Sequence, residues 1–249
     1  MKTIALVCEG PTDARTAMIL ADELICRDVG CVQPEDLDNY RRYCGYQSQD
    51  PLKWKQISNI ARQLKIVSVG HMNGLPVSDD AHNTAMALRL FDKCKPRPDA
   101  VMFIRDADKD SDRKKGIVLA RKVKSPANLP VIIGIAITMT ECWVIAGFQP
   151  VDEYEKSRVK ALLSGDDPGV GFDPRLCSEE LTAPKGHKRS SKRVLEHLTD
   201  GDHERERLCL VTIVKDQLHV ERGQNNGLHD FISEIKTKLI PLFIDRNHV

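Results

Sequence analysis

Three short apolar runs, each followed by carboxylates, constrain this chain more than any other feature. They are Thr3–Cys8, followed by Glu9; Ala100–Ile104, followed by Arg105-Asp106-Ala107-Asp108; and Val131–Thr138, followed by polar residues and Glu141. Each run is apolar at successive rather than alternate positions, as a strand buried on both faces of a parallel sheet must be. Glu9-Gly10-Pro11 closes the first. After it, Ala17, Ile19, Leu20 and Leu24 recur at helical spacing within Ala14 to Cys26, with Thr12 as the expected cap. Strand, tight turn and helix open a doubly wound α/β fold.

The remaining pattern extends this reading. Helices are expected at Trp54 to Leu64, Asp79 to Cys94, Asp110 to Lys124 and Ser191 to Leu198, with a terminal amphipathic helix from Gly227 to Phe243. Lys65–Val69 and Leu208–Val214 read as strands, residues 30–52 resist assignment, and residues 150–177 look like an acidic connector. The expected division is a core over 1–148 and a partly helical C-terminal extension over 149–249, packed on the core.

A chain of 249 residues can bury a sizeable core without disulfides. Its eight cysteines include no C-x-x-C pair, so free thiols in a reducing cytoplasm are expected. Glu9 interrupts the first apolar run too early for a secretory leader. The longest apolar run, Leu129 to Met139, falls short of the ~20 residues that span a bilayer. A soluble cytoplasmic protein without membrane contact follows. The net charge of +1 gives no global attraction to nucleic acid, but Arg105 to Lys124 holds eight Lys/Arg residues and Lys185 to Arg193 five more.

Open α/β sheets bind ligands at the carboxyl ends of their strands. Glu9, Asp106, Asp108 and Glu141 all follow strands, and Asp13 lies about one helical turn beyond Glu9. Gly10 permits the sharp turn between them. Carboxylates that converge repel one another unless a cation neutralises them, and oxygen ligands without clustered His or Cys select magnesium or manganese. Two such ions can drive phosphodiester cleavage. Plainer readings stand beside this one: Thr12 or Asp13 as a helix cap, D-x-D as a solvated loop, Glu141 as a first-turn acid, Arg105 paired with the acid beside it. His71, His82, His187 and His219 lack metal spacing and read as surface or loop residues; Trp54 and Trp143 read as core, and Cys8 as a packed thiol.

E-G-P-T-D after the first strand, with a later apolar strand and D-x-D, resembles the TOPRIM domain of topoisomerases, primases and nucleases. The E-G-x-x-D form looks most like the overcoming-lysogenization-defect nucleases. "IRDADKD", "TECWVIAGF" and "SSKRVLEHL" resemble small uncharacterised bacterial TOPRIM-like proteins. The resemblance implies a Rossmann-like TOPRIM core with a mostly parallel sheet flanked by helices, plus an α-rich extension. Glu9 and Asp13 would hold one magnesium or manganese ion and Asp106 and Asp108 a second, with Glu9 and Glu141 catalytic. Lys192, or next Lys185, would steady the phosphate. Lys109, Arg113, Lys114, Lys115, Lys185, Lys188 and Arg189 would contact nucleic acid. The implied activity is a metal-dependent endonuclease acting on DNA or RNA in anti-phage defence. The alternative is a silent or partner-dependent regulatory, nucleic-acid-binding subunit. No G-x-x-x-x-G-K-[ST] occurs, so an ATPase partner would be a separate chain; a homodimer is compatible with all of this.

Overall fold

The computed structural model describes residues 1–67, 70–72, 75–108, 110 and 112–244. The chain divides into two compact units, the first Met1–Arg105, Asp110–Gly134 and Ser233–Val249, the second Asp106–Lys109 and Ile135–Ile232.

In the first unit, β1 (Lys2–Cys8) leads through Gly10 into α1 (Pro11–Asp28). Then come α2 (Leu37–Tyr40), β2 (Arg41–Cys44), β3 (Leu52–Lys53), α3 (Trp54–Gln63) and a small hairpin, β4 (His71–Met72) with β5 (Leu75–Pro76). α4 (Asp79–Asp92), β6 (Ala100–Asp106), α5 (Asp112–Lys124) and β7 (Val131–Ala136) follow. The sheet runs β2-β1-β6-β7, with β3 also on β1, and β2, β3 and β6 all lie parallel to β1. Ile4 to Val7 and Ala100 to Ile104 are fully buried, as runs apolar on both faces require. The fold is therefore α/β with a mostly parallel central sheet flanked by helices, as expected from the sequence. β2 and β3 lie on one side of β1 and β6 on the other, so strand order reverses between β1 and β6. The carboxyl ends of those two strands flank the topological switch point, where such sheets open a crevice.

Local chemistry shifts several expected boundaries. Gly10, in extended conformation, caps α1, and Pro11 takes its first position, where proline's fixed φ suits the helix and its missing N–H is no loss. The cap is thus one turn earlier than Thr12. Lys65 does not open a strand. It takes a left-handed conformation (φ 52°) while Ile66 N–H donates to Ala61 O at 2.9 Å, closing α3. Ser68 and Val69, the end of that expected strand, lie outside the described residues.

The second unit is mostly helical. α6 (Glu141–Ala146) is buried along its whole length and packs against α8 (Ser191–Thr199) and α9 (His203–Lys215). Trp143 stacks on Phe231 at 5.0 Å and donates from Nε1 to Asn226 O at 2.8 Å. α7 (Glu153–Leu163) occupies part of the expected connector; the Asp152 carboxylate caps it by accepting Glu155 N–H at 2.8 Å. The strand expected at Leu208–Val214 is instead the end of α9, whose Cys209, Leu210, Ile213 and Val214 are buried at helical spacing. α10 (His219–Arg222) and α11 (Leu228–Glu234) complete the chain order. After α11 the terminal helix continues as a π turn, Ile235–Leu239, and a 3-10 turn, Ile240–Leu242. Pro241 has no N–H with which to continue an α ladder.

The expected division at 148/149 does not hold, because residues before it find their partners after it. Ile137 N–H donates to Asn226 O at 2.9 Å. Gly227 sits at φ 84°, where an added Cβ would meet Ile135 O at 2.0 Å. The C-terminal segment belongs to the first unit: Arg121 Nη1 donates to both Glu234 oxygens, at 2.8 and 2.6 Å.

Candidate functional site

The predicted site residues fall in both units. In the first, Glu9 follows β1 and meets Arg105, near the end of β6. Arg105 Nε also donates to Asp80 Oδ1, in the first turn of α4, at 3.0 Å. Arg113 lies 3.8 Å from both Glu9 Oε1 and Asp80 Oδ2, closing a four-membered network. The Arg105 guanidinium stands 5.3 Å from the centre of the Trp54 ring, and Trp54 Nε1 is fixed by Ile104 O at 2.9 Å. These five residues line a cleft of about 500 Å³ on the β1–β6 switch point.

Arg105 therefore does not pair with the acid beside it. Successive strand residues point to opposite faces, so Arg105 and Asp106 cannot share one partner shell. Asp13 serves as a cap: its Oδ2 accepts the Gly10 N–H at 2.8 Å, and the residue is 7% exposed. The plainer reading of E-G-P-T-D describes this carboxylate. Cys8 is buried and its thiol is pushed up to about 12 by desolvation and then by the Asp13 charge, so it stays protonated and is no nucleophile.

In the second unit Asp106 is buried, and its Oδ1 accepts the Thr140 N–H at 2.9 Å just before α6 begins. Asp108 is held in a left-handed conformation (φ 49°), its N–H donating to Thr138 O at 3.0 Å; aspartate is among the few side chains that tolerate this region. Asp108, Lys185 and Lys192 line one cavity of about 450 Å³, together with Thr138 and Met139. Glu141, 8% exposed, lies with Oε1 3.7 Å from the Lys192 ammonium. Four predicted residues are thus brought to one place within the second unit: Asp108, Glu141, Lys185 and Lys192.

The predicted phosphate-contacting residues divide. Arg113 faces the first-unit cleft. Lys114 and Lys115 are exposed on α5, and Lys115 pairs with Asp112 at 2.7 Å. Lys188 donates to Gly165 O, and the Arg189 guanidinium lies 5.3 Å over the Phe172 ring. Lys109 lies outside the described residues. His219, expected at the surface, is buried and stacks on His229 with ring centres 5.7 Å apart. Sequence reasoning missed Asp80 and the cleft role of Trp54. The acid after Ser78 carried only the signature of a helix start.

The donor set consists of carboxylate oxygens without a clustered imidazole or thiolate, which suits magnesium or manganese. Among the described residues no group of three or more His, Cys, Asp or Glu side chains is placed to hold a metal ion. Magnesium keeps several waters and is commonly bound through one or two carboxylates plus substrate phosphates, so a complete protein cage is not required of it. Comparison of the chain with protein-family models, curated proteins and solved structures finds no match.

Proposed function

We propose that this protein is a magnesium- or manganese-dependent endonuclease that hydrolyses phosphodiester bonds of DNA or RNA. Its acidic residues would be Glu9, Asp13, Asp106 and Asp108. The observation that carries the reading is the second-unit cavity, where Asp108 and two lysines face one space and Glu141 stands behind Lys192. A phosphate drawn in by Lys185 and Lys192 meets the Asp108 carboxylate, and two anions settle side by side only with a cation between them. A bound divalent ion would supply Lewis-acid polarisation of the phosphate and a more acidic water. The chain's own residues do the rest. Lys192 offsets phosphate charge as a mobile ammonium, and Glu141 holds that ammonium in place and keeps it protonated. Asp106, anchored on Thr140 N–H, orients the strand end that carries Asp108. A role in anti-phage defence beside a separate ATPase belongs to the same proposal, through the family resemblance alone.

The test is purified protein with plasmid, single-stranded DNA and total RNA, in magnesium, manganese or chelator. Metal-dependent cleavage that disappears in Asp106→Ala and in Glu9→Ala is expected. Cleavage unchanged in both variants removes the proposal. A second reading, a regulatory or nucleic-acid-binding subunit, is favoured by the engagement of Glu9 with Arg105 and Arg113 and of Asp13 with the α1 cap. It predicts silence on every substrate, with metal-induced thermal stabilisation retained.

A further inference from the structure

A second cavity in the first unit, of about 550 Å³, lies at the carboxyl ends of β1 and β3. Cys8 and Lys53, the last residues of those strands, are register partners, and α1 and α3 begin just beyond them. The volume falls within the ~300–1,000 Å³ of small-ligand pockets, and the position is the strand edge at which open α/β sheets bind ligands. Met18, Leu52 and Ile60 form an apolar wall; Tyr46, Asp50 and Lys53 supply the polar groups. Lys53 is half-buried, yet among the described residues it has no ion-pair partner. A half-buried ammonium without a carboxylate is a standing site for an anion. At Gly10 an added Cβ would meet only Asp13 Oδ2, at 3.9 Å, so the backbone leaves this wall open. The Cys8 thiol on the floor is protonated and contributes no charge.

We propose that this cavity binds a nucleoside 5′-phosphate: the phosphate on Lys53, the base against Tyr46 and the Met18–Ile60 wall, and the sugar hydroxyls on Asp50. The choice of a nucleotide among phosphate ligands rests on the phosphodiesterase reading above, whose substrates and products carry this chemistry. A free mononucleotide and the 5′-phosphorylated end of a strand present the same groups.

The full chain is titrated by calorimetry, with chelator present, against the four nucleoside 5′-monophosphates, adenosine, and 5′-phosphorylated and 5′-hydroxyl tetranucleotides. Saturable binding of at least one monophosphate is expected, with adenosine weaker. Lys53→Met should weaken that binding by about tenfold or more, the scale of one charge-assisted hydrogen bond. Lys53→Arg should restore most of it, and unchanged melting temperatures in both variants show that the fold is intact. Phosphorylated tetranucleotide binding as tightly as the monophosphate identifies a strand end; a preference for the monophosphate identifies the free nucleotide. No monophosphate binding to the wild type, or equal affinity in Lys53→Met, overturns the proposal. Cleavage is scored separately: cleavage without monophosphate binding removes this pocket alone, and binding without cleavage removes the nuclease alone.

Discussion

Replacing Arg105 with methionine tests whether the Glu9 network is structural, and whether it competes with metal. Arg105 is the only side chain named in that network that donates within ordinary hydrogen-bonding distance to both Glu9 and Asp80. Charge-assisted hydrogen bonds contribute roughly 1.5–3 kcal/mol each, and the contact with Trp54 about 0.5–2 kcal/mol. Water reduces that sum, because the side chains of Arg105 and Glu9 are 18% and 35% exposed. Arg113, 3.8 Å from both acids, takes up part of the lost charge. A net loss of about 2 kcal/mol is the expected result, or roughly 4–8 °C in melting temperature for a unit of this size. Urea unfolding with chelator present measures it, and a double-mutant cycle with Glu9→Gln should give a coupling of about 1 kcal/mol. Because Arg105 and a divalent ion would both claim Glu9, manganese should raise the melting temperature more in Arg105→Met than in the wild type. A loss under about 0.5 kcal/mol with no coupling would show the network to be a screened surface feature. An unchanged manganese response would refute Glu9 as a ligand.

Two further outcomes follow from titratable groups. Arg205 donates to both Glu155 oxygens, at 2.7 and 2.9 Å, and these hydrogen bonds hold the Glu155 carboxyl below its usual 4.5 against the opposing effect of burial. A depressed acid stabilises the fold above its unfolded pKa, and that share is lost as pH falls below 4.5 through the folded value. Glu155→Gln should therefore be less stable at pH 7 and show a flatter acid limb; an acid limb identical to the wild type refutes the pairing. Among the thiols, burial pushes Cys8 and Cys209 up to about 12 and Cys142 to about 11, whereas Cys31 is exposed. A disulfide reagent at pH 8 should label Cys31 in the native protein and the other three only on unfolding, which peptide mapping reads directly.

The parallel sheet was legible because strands buried on both faces leave continuous apolar runs, and β1, β6 and β7 each do so. α9 was not. Its Leu208-Cys-Leu-Val-Thr-Ile-Val run is β-branched and apolar, which suits a strand locally, and burial of one helical face overrides that preference. The division into units was hidden for a different reason. It depends on pairings such as Ile137 with Asn226 and Arg121 with Glu234, whose members lie far apart in sequence and carry no periodic signal. The candidate site was legible in its residue types but not in their partners. Strand ends marked Glu9, Asp106 and Asp108, and "SSKRVL" marked Lys192, which does meet Glu141. Nothing local marked Asp80 as the second acid on Arg105.

The Arg105-Asp106-Ala107-Asp108 stretch concentrates this lesson in four residues. Strand alternation sends Arg105 and Asp106 to opposite faces of β6. Arg105 then finds Glu9, Asp80 and Trp54 within the first unit, whereas Asp106 takes the Thr140 N–H within the second. Asp108, past the strand end and in a left-handed conformation, turns back to a cavity shared with Lys185 and Lys192. Neighbours in sequence thus answer to different physical constraints, and their substitutions should report differently. Arg105→Met acts through the ion-pair network. Asp106→Ala acts through the start of α6, by freeing a buried backbone N–H that costs ~1–3 kcal/mol to leave without a partner. Asp106→Asn keeps an acceptor for Thr140 while removing the charge, so it separates the two roles of that carboxylate. If Asp106→Asn folds as the wild type and still abolishes metal-dependent cleavage, the charge at position 106 serves chemistry. If it folds and cleaves as the wild type, Asp106 is a helix-start acceptor and nothing more.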